Sequence, residues 1–346
     1  MTINHQFNKP NSQSTKPSEF IIDKGEPIYQ KEEKCDVFDG KWVYDPKASP
    51  LYHGHRCPFL SEQVSCQRNG RPDFEYEKWS WEAKECDIPR FNGTDMLERL
   101  RGKRVILVGD SLNRNQWESL ACLLYSAVPP SRAIVDARSH VYKVFKAKDY
   151  DCSVEFYWSP FLIELDDNNI NQANGSRVLK LEKLTAAARQ WKGADVMVFN
   201  SGHWWVHRGR WKSPKQKSSS GASPQEHKGK QWCYNETQPI MDESFVPTFP
   251  KSLIEILERT IQEMRTPVKY LNITKLSQYR RDAHAAMYAK RQEQESIKRE
   301  QKGPEIHPDC SHWCLPGVPD TWNRLVYASM VLDNSRNVSN SSHLVV

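Results

Sequence analysis

Hydrophobic positions cluster most densely at residues 104–110 (RVILVGD), where four consecutive apolar residues, mostly β-branched, run into Gly109 and Asp110. A short apolar run of this kind reads as a strand buried on both faces. The pattern then changes period. Trp117, Leu120, Ala121 and Leu124 recur at helical spacing within residues 113–125. Further strands are predicted at 154–158 (VEFYW), 195–200 (DVMVFN) and 268–274 (VKYLNIT). Residues 252–264 place Leu253, Ile256, Leu257, Ile261 and Met264 on one face of an amphipathic helix. Buried strands separated by helices predict an α/β layered domain around a central parallel sheet, in which reactive groups collect beyond the carboxyl ends of the strands.

Polar stretches bound this core. Residues 1–33, rich in Asn, Ser, Lys and Pro, predict a disordered stem with little to bury. Residues 34–87 are dense in Cys, Trp, Gly and Pro and predict a small loop-rich module held by disulfides. The layered domain then occupies 88–335. Within it, residues 206–231 carry seven Lys+Arg against one Glu and read as a flexible basic loop. Residues 280–302 read as a charged, solvated helix, and residues 336–346 as a disordered tail.

The net charge of +6 is spread along the chain, and basic residues do not interleave with aromatics as a nucleic-acid groove requires. Nine cysteines are scattered without CxxC or Cys/His spacing, which argues against structural zinc and for disulfides in an oxidising compartment. Six Asn-x-Ser/Thr sequons, at Asn92, Asn174, Asn235, Asn272, Asn337 and Asn340, agree with a secretory route. Yet no apolar stretch in the chain has the length of a signal or membrane-spanning segment, so an anchor missing from this chain is the expectation.

Two short segments carry candidate chemistry. Ser111 follows the strand at 104–110 directly, so its hydroxyl stands on a strand-to-helix turn, where helix N–H groups can stabilise an oxyanion. Gly109 lets the backbone turn tightly there. The ordinary alternative for such a serine is a helix N-cap. Near the other end, Asp309-Cys310-Ser311-His312-Trp313-Cys314 sets an acid three residues before a histidine. The carboxylate can orient an imidazole that accepts and returns a serine proton. Its alternative is a buried structural histidine between two cysteines.

Together, VGDSLNRNQ, FNSGHWW and DCSHWCLPGVPDTWN resemble the plant trichome-birefringence-like family of polysaccharide O-acetyltransferases, over roughly Cys35 to Leu332. Runs such as CDVFDGKWV, LNRNQWES, VEFYWSPFL and YRRDAH resemble its xylan acetyltransferase branch. The resemblance implies an SGNH/GDSL-esterase-like domain with a small Cys-rich module before it. It also implies a Golgi location with a membrane anchor. It assigns Ser111 as nucleophile, His312 as base and Asp309 as orienting acid. Gly109 and Asp110 belong to the nucleophile block, Asn200 and Gly202 to the oxyanion block, and Arg114 to the same cleft. Trp204, Trp205, Trp313 and Trp322 are candidates for stacking sugars, each set against the commoner role of a core ring. The implied substrates are xylan or a related cell-wall polysaccharide and an acetyl donor, acetyl-CoA being one candidate, with no bound cofactor or metal.

Eight cysteines admit 105 pairings, which composition cannot separate. The resemblance implies Cys35–Cys86, Cys57–Cys122, Cys66–Cys314 and Cys233–Cys310, with Cys152 free. It also implies a departure. Relatives carry a further helix and strand between the blocks at FNSGHWW and WCYNETQP, where this chain has only the basic stretch at 206–231. A sheet lacking that inner strand is therefore expected, with each buried backbone group left unpaired costing about 1–3 kcal/mol.

Overall fold

The computed structural model describes residues 36–166, 177–206, 211–212, 233–242, 244–266, 268–289, 308–334 and 343–345. Residues 36–346 form one unit. The strands are β1 (Gly40–Tyr44), β2 (Trp79–Ala83), β3 (Arg104–Gly109), β4 (Ala133–Asp136), β5 (Tyr142–Ala147), β6 (Cys152–Trp158) and β7 (Ile163–Asp166). They continue with β8 (Arg177–Leu184), β9 (Val196–Asn200), β10 (Trp211–Lys212), β11 (Val268–Tyr270), β12 (His284–Ala286), β13 (Asp309–Trp313) and β14 (His343–Val345). The described α-helices are α1 (Gly93–Arg99), α2 (Ser111–Tyr125), α3 (Ala188–Trp191), α4 (Gly202–Trp205), α5 (Lys251–Glu263), α6 (Thr274–Gln278) and α7 (Val318–Asn334).

Among the described residues, seven strands form the central sheet in the order β11-β14-β9-β3-β6-β5-β4. From β11 to β6 all neighbours run parallel, as the apolar runs predict; β5 and β4 close the far edge antiparallel. The all-aliphatic centre of β3 is buried on both faces because helix α2 packs on the sheet and Trp191 and Ala194 cluster with Ile106 and Val108. Helix α2 is buried almost all round, which its modest amphipathicity does not foretell. Its polar residues instead reach neighbouring backbone: Asn113 donates to the Val198 carbonyl on β9, and the Trp117 indole donates to Val154 on β6. On its other side, Asn323 of α7 donates to Gln116 O and Ser119 Oγ.

Five expectations change. The basic stretch at 206–231, expected as a loop, contributes the two-residue strand β10, which pairs parallel with β8. The segment from 280 begins not as a solvated helix but as a 3₁₀ turn leading into β12, and Arg280 and Asp282 form a fully buried ion pair at 2.8 Å. The Arg280 guanidinium also lies over the Trp42 ring at 4.5 Å, so aromatic faces and a carboxylate replace its water. Residues 290–302 of that segment lie outside the described residues. The strand expected at 268–274 stops at Tyr270, and α6 begins at Thr274. Lastly, the polar tail contributes β14, which lies between β9 and β11 and pairs parallel with both. The inner position expected to be missing is thus filled by the chain's own carboxyl-terminal segment.

Candidate active site

The site is assembled where β3 and β9 end. Gly109 pairs with Asn200, and a Cβ on Gly109 would stand 1.9 Å from the Asn200 carbonyl oxygen. Only glycine permits that approach, and it lets the Asp110 N–H donate to the same carbonyl at 3.3 Å. Asp110, not Ser111, caps α2: its carboxylate accepts from the Leu112 N–H at 2.9 Å. The capping alternative for Ser111 therefore falls away. Ser111 is the first residue of the helix, half-buried, with the positive end of α2 beneath it.

Strand β13 carries Asp309 and His312. Antiparallel pairing with β12 sets His284 opposite Trp313 and Ala286 opposite Asp309. The Asp309 carboxylate turns back on its own strand, accepting from the Ser311 and His312 N–H groups at 3.0 and 3.1 Å. Its oxygens lie 3.0 and 2.9 Å from His312 Nδ1. Burial opposes ionisation of Asp309, but donation by His312, its charge when protonated, and donation by Gln63 and Ser311 together hold the carboxyl well below the usual carboxylate range. An ionised partner makes Nδ1 the protonated nitrogen and leaves a lone pair on Nε2. That Nε2 is buried and has no hydrogen-bond partner among the described residues.

Burial pushes the Asp110 carboxyl up to about 6, while the charges of His312 and Arg114 act in the opposite direction. The geometric link between the two segments is made by Asn115 of α2, which bonds the Trp313 backbone beside His312, although some two hundred residues separate them in sequence. Beneath, His284 donates from Nδ1 to the His312 carbonyl at 3.1 Å. Its ring stacks on Trp313 with centroids 4.5 Å apart, and burial lowers its pKa to about 4, keeping it neutral.

Family models match along this frame. The PC-esterase model, a GDSL/SGNH-like acyl-esterase family found in Pmr5 and Cas1p, covers residues 88–225 and 212–329, and a PMR5 N-terminal domain covers 33–87. This chain belongs to the PC-esterase family. Its trichome-birefringence relatives include Protein trichome birefringence-like 1 of Arabidopsis thaliana, 38% identical over 88% of this chain and 63% of that protein. Protein trichome birefringence of the same plant is 38% identical over 86% of the chain and 56% of its own length. A protein of Oryza sativa subsp. japonica named "Probable xylan O-acetyltransferase 10" is 38% identical over 86% of the chain and 78% of its own length. The chain spans less than two thirds of the length of the first two relatives.

The disulfides of this PC-esterase chain follow the implied pairing where they are described: Cys57–Cys122, Cys66–Cys314 and Cys233–Cys310. Cys86 is also disulfide-bonded, and Cys35, its expected partner, lies outside the described residues. Cys152 is free, buried and, with its thiol pushed up to about 12 by that burial, inert. Bonds at Cys310 and Cys314 brace β13 on either side of His312.

The other candidates separate by burial. Trp313 and Trp322 pack edge to face in the core, so neither ring is open to a sugar. Trp205 is 41% exposed and packs edge to face on Phe161, beside Gly202 in α4. A Cβ on Gly202 would come within 3.2 Å of the Phe249 ring. Arg114 turns toward the loop before Cys66, where its guanidinium donates to Gln63 Oε1. Gln63, Asn115 and His284 escape a motif reading. A signal for Gln63 does exist: it lies three residues before Cys66, whose implied disulfide to Cys314 carries it to β13.

Among the described residues no helix is long and apolar enough to cross a membrane, and no cluster of His, Cys, Asp and Glu is arranged to hold a metal ion.

Proposed function

We propose that this chain is an acyltransferase that moves an acetyl group, through an ester on Ser111, onto the 2- or 3-hydroxyl of xylosyl residues of xylan. The observation that carries the reading is the Asp309–His312 pair, with Nδ1 bonded to the carboxylate at 2.9 Å and the buried Nε2 left with a lone pair, on a strand packed against the helix that Ser111 begins. The named substrate of the rice relative supports xylan as the acceptor.

In the first half-reaction His312 Nε2 accepts the Ser111 hydroxyl proton as Oγ attacks the acetyl carbonyl of the donor. The negative charge formed on the carbonyl oxygen is met by the Ser111 N–H, the Leu112 and Asn113 N–H groups being held by Asp110, and by the oxyanion block at Asn200 and Gly202. The donor's leaving group departs with the proton held by His312. In the second half-reaction the sugar hydroxyl gives its proton to Nε2 and attacks the acetyl-Ser111 ester; collapse returns the proton to Oγ and frees the acetylated sugar. Asp309 stabilises the imidazolium in both halves and stays ionised throughout. Transfer over hydrolysis follows from holding the sugar hydroxyl in line with the ester. Acetyl-CoA is proposed as donor, and the Golgi lumen as location, since three described disulfides suit an oxidising compartment.

Mass spectrometry of deacetylated xylo-oligosaccharides incubated with acetyl-CoA and the protein tests this. Acetylated oligomers made by wild type and not by Ser111→Ala are expected. Free acetate with no acetylated oligomer would replace the transferase by an esterase using water. Undiminished product from Ser111→Ala would remove the acyl-enzyme.

A further inference from the structure

Gln63 belongs to the small amino-terminal module, yet its side chain ends inside the acid–base pair. Its Nε2 donates to Asp309 Oδ2 at 3.0 Å and lies 3.1 Å from His312 Nδ1. Its Oε1 accepts from the Arg114 guanidinium on α2. This fixes which way the amide faces: a flip would turn Oε1 toward a carboxylate and NH₂ toward a guanidinium, opposing like partners on both sides. With Nδ1 protonated toward Asp309, the 3.1 Å approach to Nδ1 is a packing contact, and the hydrogen bond of Gln63 goes to the carboxylate.

The loop that carries Gln63 is held on both flanks. Ser61 donates from its N–H and hydroxyl to Glu118 of α2, at 3.1 and 2.7 Å. Glu118 in turn lies 3.8 Å from Arg114. Val64 accepts from the Leu315 N–H, and Cys66 is bonded to Cys314. Residues 61–66 therefore tie the helix that begins at Ser111 to the strand that holds His312, and Gln63 is the point where the tie meets a reacting group.

We propose that Gln63, anchored by Arg114, is a positioning residue for the Asp309–His312 pair, so that the small module supplies part of the active site. This rests on the catalytic reading of Ser111, Asp309 and His312. Gln63 donates to Oδ2, the oxygen nearest Nδ1, holds the carboxylate against the imidazole, and so confines the ring to the orientation that presents Nε2.

Gln63→Met keeps length and removes both bonds; Gln63→Glu keeps the bond from Arg114 and sets a carboxylate against Asp309. The charged and titratable groups around the pair are Asp110, Arg114 and Glu118 from α2 and His284 with neighbouring Arg281 from β12 and the turn before it, and both variants retain them all. With 4-nitrophenyl acetate as probe, kcat is expected to fall about ten- to a hundredfold in both variants with KM little changed, as for partners that orient a reacting group elsewhere. The acid limb of the Gln63→Glu profile is expected to move to higher pH. In parallel, ¹³C NMR of the Asp309 carboxyl is expected to show its titration moved up in Gln63→Met. Wild-type kcat and pH profile in Gln63→Met would overturn the assignment; should that variant not fold, the same result in Gln63→Glu would do so. If Ser111→Ala keeps full turnover, the catalytic reading fails separately, and the NMR titration alone decides: an unmoved Asp309 overturns the positioning role, a raised one sustains it.

Discussion

The side-chain amide of Asn115 exchanges two hydrogen bonds with the backbone of Trp313, accepting from its N–H at 3.0 Å and donating to its carbonyl at 3.3 Å. Asn115 is one turn after Ser111, and Trp313 is the neighbour of His312. The amide mimics a strand edge and fastens β13 to α2 as another strand would. Asn115→Leu preserves volume but leaves two buried backbone groups unpaired, each costing about 1–3 kcal/mol. Chemical denaturation should show a lower midpoint at unchanged slope, and esterase activity should fall at temperatures where the variant is still folded. A midpoint equal to wild type would show that the clasp holds nothing.

Close packing of β3 on β9 gives a sharper contrast. Gly109→Ala drives a methyl into the Asn200 carbonyl, so backbone rather than a flexible side chain must move, at a cost of about 3 kcal/mol or more. Gly54→Ala meets nothing nearer than 3.5 Å and should stay within about 1 kcal/mol of wild type. Thermal melts of the two, with activity measured on the folded fraction, test whether the turn at 109–111 sets the position of Ser111. Equal melting temperatures would remove that claim.

The parts legible in sequence are those dictated by local pattern. The aliphatic run of β3, the helical spacing of α2 and the Asp309–His312 interval each carry their own signal, and the structure has them as elements. Buried polar residues carry none. Asn113, Asn115 and Glu118 acquire their partners only when β9, β13 and the Ser61 loop are folded onto them. Arg280 looks solvated for the same reason, since the ion pair and Trp42 that replace its water come from other parts of the fold. β14 is invisible because its pairing partners, not its three residues, make it a strand.

Asp309 makes stability depend on pH in a defined direction. Its folded pKa lies below the ordinary value, so the carboxylate adds stability above the unfolded pKa, and that contribution is lost as pH falls through the folded value. Asp110 and Asp320, both pushed up to about 6 by burial, act oppositely: their contribution is present below the ordinary carboxyl value and lost as pH rises through about 6. Comparing wild type with Asp309→Asn cancels the latter two. The variant should be about 2 kcal/mol less stable at pH 7, and the difference should shrink once pH drops below about 4. A gap that is constant from pH 7 to 3 would mean that shape, not charge, is what Asp309 contributes.

β14 bears on whether the shortened stretch after β9 leaves a working sheet. Leu344 and Val345 pair with Val198 and Phe199, and His343, Leu344 and Val345 with Val268, Lys269 and Tyr270, so one short strand covers the edges of two others. β9 also carries Asn200, whose carbonyl receives the Asp110 N–H. Ending the chain at Asn334 removes β14 and exposes both edges to water. Water can replace those backbone partners, so the expected loss is moderate, about 0.5–1.5 kcal/mol for each hydrogen bond given up. It should be local. Hydrogen exchange is expected to quicken at the amides of 196–200 and 268–270 and to leave β3 and β6 unchanged. Quickened exchange in β9 should come with a lower kcat, because the carbonyl beneath the turn at Ser111 is then less firmly held. Unaltered exchange in both strands would show that β14 does not complete this sheet in solution.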